Sequence, residues 1–138
     1  MHIIFGGAFN GKQQFVKNFC KEQGKQPQFF HGVIPTNSFT KQDVVVIQQL
    51  EQLLQPLSSL GEIQAAATIA EQLFQLDKKT QLLCICTDMS RGVVPIDKNQ
   101  RFLRDATGRL YQQLFQQSES ITRIWYGLAE NLKGELKL

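Results

Sequence analysis

"HIIFGGAFNGKQQFVKNFC", residues 2–20, runs a short apolar stretch into a glycine-rich turn and then into an amphipathic stretch. Gly6, four residues, Gly11 and Lys12 have the G-x-x-x-x-G-K spacing of a loop that cradles phosphate. Backbone N–H groups of such a loop converge on the anion, and the N-terminus of the following helix adds partial positive charge. The expected nucleotide-binding residues are therefore Gly6, Gly7, Ala8, Phe9, Asn10, Gly11, Lys12 and Gln13. Lys12 is placed to reach the β- and γ-phosphates. Gln13 stands where a Ser or Thr hydroxyl would help hold Mg²⁺, and its longer amide is a poor substitute. ATP or GTP binding is expected to survive this change, Mg²⁺ is doubtful, and phosphoryl transfer should suffer more than binding. The bland alternative is a ligand-free turn between strand and helix.

Further along the chain, "HIIF" (2–5), "QFFHGV" (28–33), "DVVVI" (43–47) and "LLCICT" (82–87) read as strands, with "TRIWYGL" (122–128) as a fifth. Most are uninterrupted apolar runs, which suits a sheet covered on both faces. Helical stripes lie between them. Phe15, Val16, Phe19 and Cys20 form one, and Leu50, Leu53, Leu54 and Leu57 another, which Pro56 limits. Ile63, Ala67, Ala70, Leu73 and Phe74 share a side of a third, and Leu103, Ala106, Leu110 and Leu114 point inward from a fourth over roughly 98–117. Strands alternating with helices predict an α/β fold, here one phosphate-loop NTPase-like domain over 1–138 with a mainly parallel sheet flanked by helices.

Composition narrows the function classes. A net charge of +3, with Lys and Arg scattered, argues against nucleic acid as a partner. No apolar stretch approaches the ~20 residues of a membrane span, so a soluble, cytoplasmic protein is expected. Cys20, Cys84 and Cys86 lack the spacing of a zinc site or a disulfide framework and read as buried thiols. The many Gln residues read as solvated helix surface.

The third strand, "DVVVIQQL", has the place of the strand that ends in an acidic residue beside the metal in phosphate-loop enzymes. It ends instead in neutral Gln48 and Gln49, and Asp43 lies at its other end.

From Thr87 the chain reads "TDMSRGVVPIDKNQRFLRDATGRLYQQLFQQSESITRIWYGLAENLKG". With the early loop, this resembles the bifunctional adenosylcobinamide kinase/adenosylcobinamide-phosphate guanylyltransferase family of cobalamin biosynthesis. That family carries "N-E-x-G-x-G-I-V-P" followed by "R-x-F-R-D-x-x-G-R-x-N-Q". Gly6, Gly7, Gly11 and Lys12 match, as do Gly92, Val94, Pro95, Arg101, Arg104, Asp105, Gly108, Arg109 and Gln112. The resemblance implies phosphorylation of the aminopropanol arm of adenosylcobinamide, then GMP transfer from GTP through a guanylyl-histidine. It also implies a homotrimer with sites between subunits.

Departures from the pattern limit what carries over. Gln13 and Gln48 replace the loop Ser and a strand-end Glu, and Asp88 holds the place of the Glu in "N-E". Ser90, Arg91 and Tyr111 are further changes. Lys12 and Asp88 are the only catalytic candidates, and Asp88 the only metal candidate. The helical segment that bears the family's nucleophilic His is missing, because "HGVIPTNSFTKQD" (31–43) is too short to hold it. His31 matches no part of the nucleophile motif and His2 has no claim. Arg101, Arg104 and Arg109 cannot share one helix face, and Asp105, four after Arg101, predicts an exposed ion pair worth about 0.3–0.5 kcal/mol. Two functions follow: a minimal family member with guanylyl transfer lost, or an inactive paralogue that binds nucleotide or corrinoid or partners an active enzyme.

Overall fold

Apolar runs without alternation need cover on both faces, and the computed structural model, which describes residues 1–8, 10–88 and 97–138, supplies it. The strands are β1 (His2–Gly6), β2 (Pro27–His31), β3 (Val44–Gln48), β4 (Gln81–Thr87), β5 (Ser120–Trp125) and β6 (Leu128–Lys133). The helices are α1 (Lys12–Glu22), α2 (Glu51–Leu54), α3 (Glu62–Asp77) and α4 (Lys98–Gln117), with a 3-10 turn at Gln55–Leu60 after α2. One six-stranded sheet has the order β2-β3-β4-β1-β5-β6. Every pairing is parallel except β5 with β6.

Successive side chains on a strand face opposite ways, so each apolar run feeds two cores. Ile3, Val45, Ile47, Leu82, Cys84 and Cys86 join one core with buried residues of α3 and α4 and with Leu54. Ile4, Val44, Val46, Leu83, Ile85 and Ile124 join the other with Val16 and Cys20 of α1 and with Leu136. Fully burying each such aliphatic side chain contributes about 1.5–3 kcal/mol. Cys84 and Cys86 thus share a face, and all three cysteines are buried free thiols. Burial pushes the Cys84 thiol up to about 12 and Cys86 well above its ordinary value, so neither is a ready nucleophile.

The connections explain which helix covers which face. From β1 the chain crosses with α1 over one face to the far edge at β2. It then returns strand by strand, and every return segment packs on the opposite face. Ile34 and Phe39 of the β2–β3 connection, then α3, then α4 all contribute to the core that holds Ile3 and Leu82. Reversing direction while keeping right-handed crossovers requires this change of face. The reversal occurs between the adjacent strands β1 and β4, which opens a crevice at their carboxyl ends.

Two expectations need correction. The fifth run is not one strand. Tyr126 (φ 50°) and Gly127 (φ 78°) make a two-residue turn of left-handed residues that sends β6 back antiparallel. In α3 the buried face is Ala65, Ala66, Ile69, Ala70, Leu73 and Leu76, while Ile63 is 65% exposed and Ala67 is also exposed. The alanine-rich first half has little phase of its own, so the bulky Ile69, Leu73 and Leu76 set the helix rotation. The fourth helix and its inward Ala106, Leu110 and Leu114 are as expected, with Leu103 half-buried against the core. Among the described residues, no helix is long and apolar enough to cross a membrane. Phe9 and the expected motif positions Ser90, Arg91, Gly92, Val94 and Pro95 lie outside the described residues.

Candidate functional site

β1 delivers the glycine loop to the crevice. Gly6, its last residue, lies between Thr87 of β4 and Ile124 of β5. A Cβ on Gly6 would sit 2.5 Å from the Ile124 carbonyl oxygen, so only glycine fits there. Gly11 (φ 82°) closes the loop in a left-handed conformation and stands at the N-cap of α1, with no side-chain cap hydrogen bond. The first intrahelical bond runs from Phe15 N–H to the Gly11 carbonyl at 3.0 Å. The amides of Lys12, Gln13 and Gln14 therefore lack intrahelical acceptors, and the first turn of α1 holds no acidic residue.

Lys12 folds back into this loop. Its ammonium donates to the Gly7 carbonyl at 2.6 Å, and the side chain is buried. Burial lowers its pKa, against a smaller opposing push from Cys86. Two further bonds tie the loop to its surroundings. Asp88 N–H donates to the Gly6 carbonyl at 2.9 Å, and Gly127 N–H at the hairpin turn donates to the Asn10 carbonyl at 3.3 Å.

Beside the loop lies a cavity of about 440 Å³. Ala8, Asn10, Gly11, Lys12 and Gln13 form one wall, and Gln48, Gln49, Glu51 and Thr87 face them from the ends of β3 and β4. This brings together the described members of the predicted loop except Gly6 and Gly7, which do not line the cavity. Cationic Lys12 and amides without intrahelical acceptors suit an anion. Gln48, 9% exposed, contacts His31 through the two Nε2 atoms at 3.2 Å, so the amide donates to an unprotonated imidazole nitrogen and its oxygen is not used in that bond. His31 itself is exposed at the end of β2. Asp43 is remote, as expected: its carboxylate accepts from Thr40 N–H at 2.8 Å at the opposite end of β3.

Asp88 is placed differently from the loop. It lines a second, larger cleft of about 1300 Å³ that runs from Phe5 along α4 past Thr107, Arg109 and Gln116. Thr87 and Asp88 thus face two hollows on either side of one strand end. Thr107 Oγ1 is buried in this cleft's wall and has no hydrogen-bond partner among the described residues. Tyr111 Oη accepts from Thr87 N–H at 3.1 Å, which pins α4 to the end of β4.

The arginines divide, and one expectation fails. Asp105 pairs with its neighbour Arg104, whose Nε and Nη2 reach one carboxylate oxygen at 3.0 and 2.8 Å, rather than with Arg101. The two nitrogens of one guanidinium satisfy that oxygen together, which Arg101 a turn away does not match. Arg109 reaches Glu62 of α3 at 3.5 Å. These half-exposed pairs contribute little stability. His2, at the other end of β1, donates to or accepts from Ser120 Oγ at 2.7 Å through Nδ1 and is structural.

Of the cavity residues that the sequence did not single out, Glu51 is the charged one. Glu51 enters because Gln49 adopts φ 58° and turns the chain at once from β3 into α2. No residue pattern announces a glutamine in that conformation. Among the described residues, no group of three His, Cys, Asp or Glu side chains could hold a metal ion by itself. Compared with protein-family models and with curated protein sequences, the chain matches none.

Proposed function

We propose that this chain is a phosphate-loop NTPase-like protein that binds the phosphates of ATP or GTP on Lys12 and the Gly6–Gln13 loop. In this reading it is a shortened relative of the adenosylcobinamide kinase/guanylyltransferase family, working in the cytoplasm, with guanylyl transfer lost. The observation that carries the reading is the cavity at the carboxyl ends of β1 and β4, lined by Lys12 and the first residues of α1, whose amides lack intrahelical acceptors. Open α/β sheets bind ligands at such a reversal point. The resemblance supplies the cobalamin context, the corrinoid acceptor and the homotrimer.

The chain's own groups would act as follows. An arriving triphosphate displaces the Gly7 carbonyl from Lys12, and the ammonium then faces phosphate oxygens. Loop amides hold the same anion by charge-assisted hydrogen bonds. The larger cleft, with Asp88 in its lining, offers the acceptor a place across the end of β4. For guanylyl transfer the chain offers two histidines, and His2 bonds Ser120 at the far end of β1 while His31 bonds Gln48 at the end of β2.

Calorimetric titration of ATP and GTP into the intact chain and into Lys12→Ala tests this. Binding by the intact chain that weakens about tenfold or more in the variant is expected, in line with loss of a charged hydrogen bond. No binding, or equal binding, overturns the nucleotide reading. Incubation with α-phosphate-labelled GTP should leave the chain unlabelled, and stable labelling would overturn the loss of guanylyl transfer. The inactive-paralogue reading, favoured by neutral Gln13 and Gln48 at the cavity, predicts binding without phosphorylation of adenosylcobinamide.

A further inference from the structure

We infer that Glu51 supplies the carboxylate of a Mg²⁺–phosphate site beside Lys12, in place of the acidic residue that β3 lacks at Gln48. The inference rests on the nucleotide reading and goes beyond it by naming the residue that recovers the lost metal chemistry.

Placement comes first. Glu51 lines the same 440 Å³ cavity as Lys12, Gln13, Gln48 and Thr87. An extended chain continuing from Gln48 would carry position 51 about 10 Å beyond the sheet edge. Gln49 prevents this by taking a left-handed conformation, and Gln52 N–H already bonds back to its carbonyl at 3.0 Å. A non-glycine residue there costs roughly 1–2 kcal/mol. Such strain persists where the surroundings demand it, and it clusters at ligand sites. Here its local effect is to bring the one carboxylate of the segment back over the cavity.

Chemistry comes second. Mg²⁺ keeps several waters and needs only one or two protein carboxylates when phosphates complete its shell. Glu51, with the amide oxygen of Gln48 in the same cavity lining, offers hard-oxygen donors of that kind. A full protein cage is not required, which fits the absence of a three-residue cluster among the described residues. When bound, the ion neutralises charge on the β- and γ-phosphate oxygens. Both Glu51 and Lys12 also lie within electrostatic reach of the buried Cys86. After burial and Cys84, Glu51 raises the Cys86 pKa while Lys12 opposes it.

A purely structural Glu51 would only complement the start of α2, which is four residues long. The two roles separate in a titration of ATP with and without MgCl₂ into the intact chain and into Glu51→Gln. Intact protein should bind about tenfold more tightly with Mg²⁺, a typical coupling between two ligands. In Glu51→Gln that enhancement should shrink below about twofold. Metal-free ATP should at the same time bind more tightly than to the intact chain, because a charge facing the phosphates is gone. Equal Mg²⁺ enhancement in both proteins, or none in the intact one, overturns the role of Glu51 while leaving nucleotide binding standing. Absence of ATP binding in every condition overturns the underlying reading and this inference with it. Thermal unfolding of both proteins guards against a folding defect, and an unfolded Glu51→Gln is replaced by Glu51→Asp, whose enhancement should fall between the two.

Discussion

Gly6 at the end of β1 and Gln49 just after β3 each have a backbone requirement that a single substitution can test. Gly6→Ala places a methyl 2.5 Å from the Ile124 carbonyl oxygen. Forcing β1 from β5 should destabilise the fold by about 1–3 kcal/mol, read as a lower denaturation midpoint. Gln49→Gly should do the reverse, raising the midpoint modestly by relieving the left-handed strain, while the Mg²⁺ response attributed to Glu51 persists. His2 adds a dependence on pH. Burial chiefly lowers its pKa from 6.5, and the chain's first amino group lowers it further. The unfolded chain then binds more protons than the folded one from 6.5 down to the folded value. Stability should fall as pH drops through that window and level off below it. His2→Gln should flatten the slope, as measured by urea midpoints at about pH 5 and about pH 8. At this scale the glycines and Lys12 were legible because spacing encodes them. Glu51 was not, since its place depends on one dihedral angle of its neighbour.

Among the elements, α4 was read closest to its observed bounds, and its start shows why. Asp97 stands at the N-cap and its carboxylate accepts from Asn99 N–H at 2.7 Å and Gln100 N–H at 3.3 Å. Asp97→Ala should cost about 1 kcal/mol in the unfolding free energy. A long stripe with bulky leucines fixes the phase of this helix. In α3 the alanines leave the phase open, so the pattern alone does not tell that Ile63 faces outward. The hairpin was hidden for a different reason. Two-residue turns of this kind favour Asn, Asp or Gly at the first position, and a tyrosine at φ 50° carries no such signal. All six residues of β6 are exposed, including Leu128 and Leu132. Their replacement by Thr should change stability by less than about 0.5 kcal/mol, in contrast to any truncation of Leu110 or Leu114.

For the molecule as a whole, the mainly parallel sheet was legible because double-sided burial writes continuous apolar runs into β1, β3 and β4. Strand order was not, since no run names its neighbour; it emerges from the handedness of the crossovers. That order is what joins the two hollows at the end of β4 and sets the loop against the hairpin. The bond from Gly127 to the Asn10 carbonyl couples the loop to the turn that follows Trp125. Trp125 is the only tryptophan in the chain, half exposed beneath the Arg123 guanidinium 4.3 Å from its ring centre. A loop that rearranges when Lys12 leaves Gly7 pulls on that turn and alters the indole's contact with the cation. The protein therefore carries a built-in optical gauge: its own fluorescence, excited at the indole, should register the filling of the crevice without any added label.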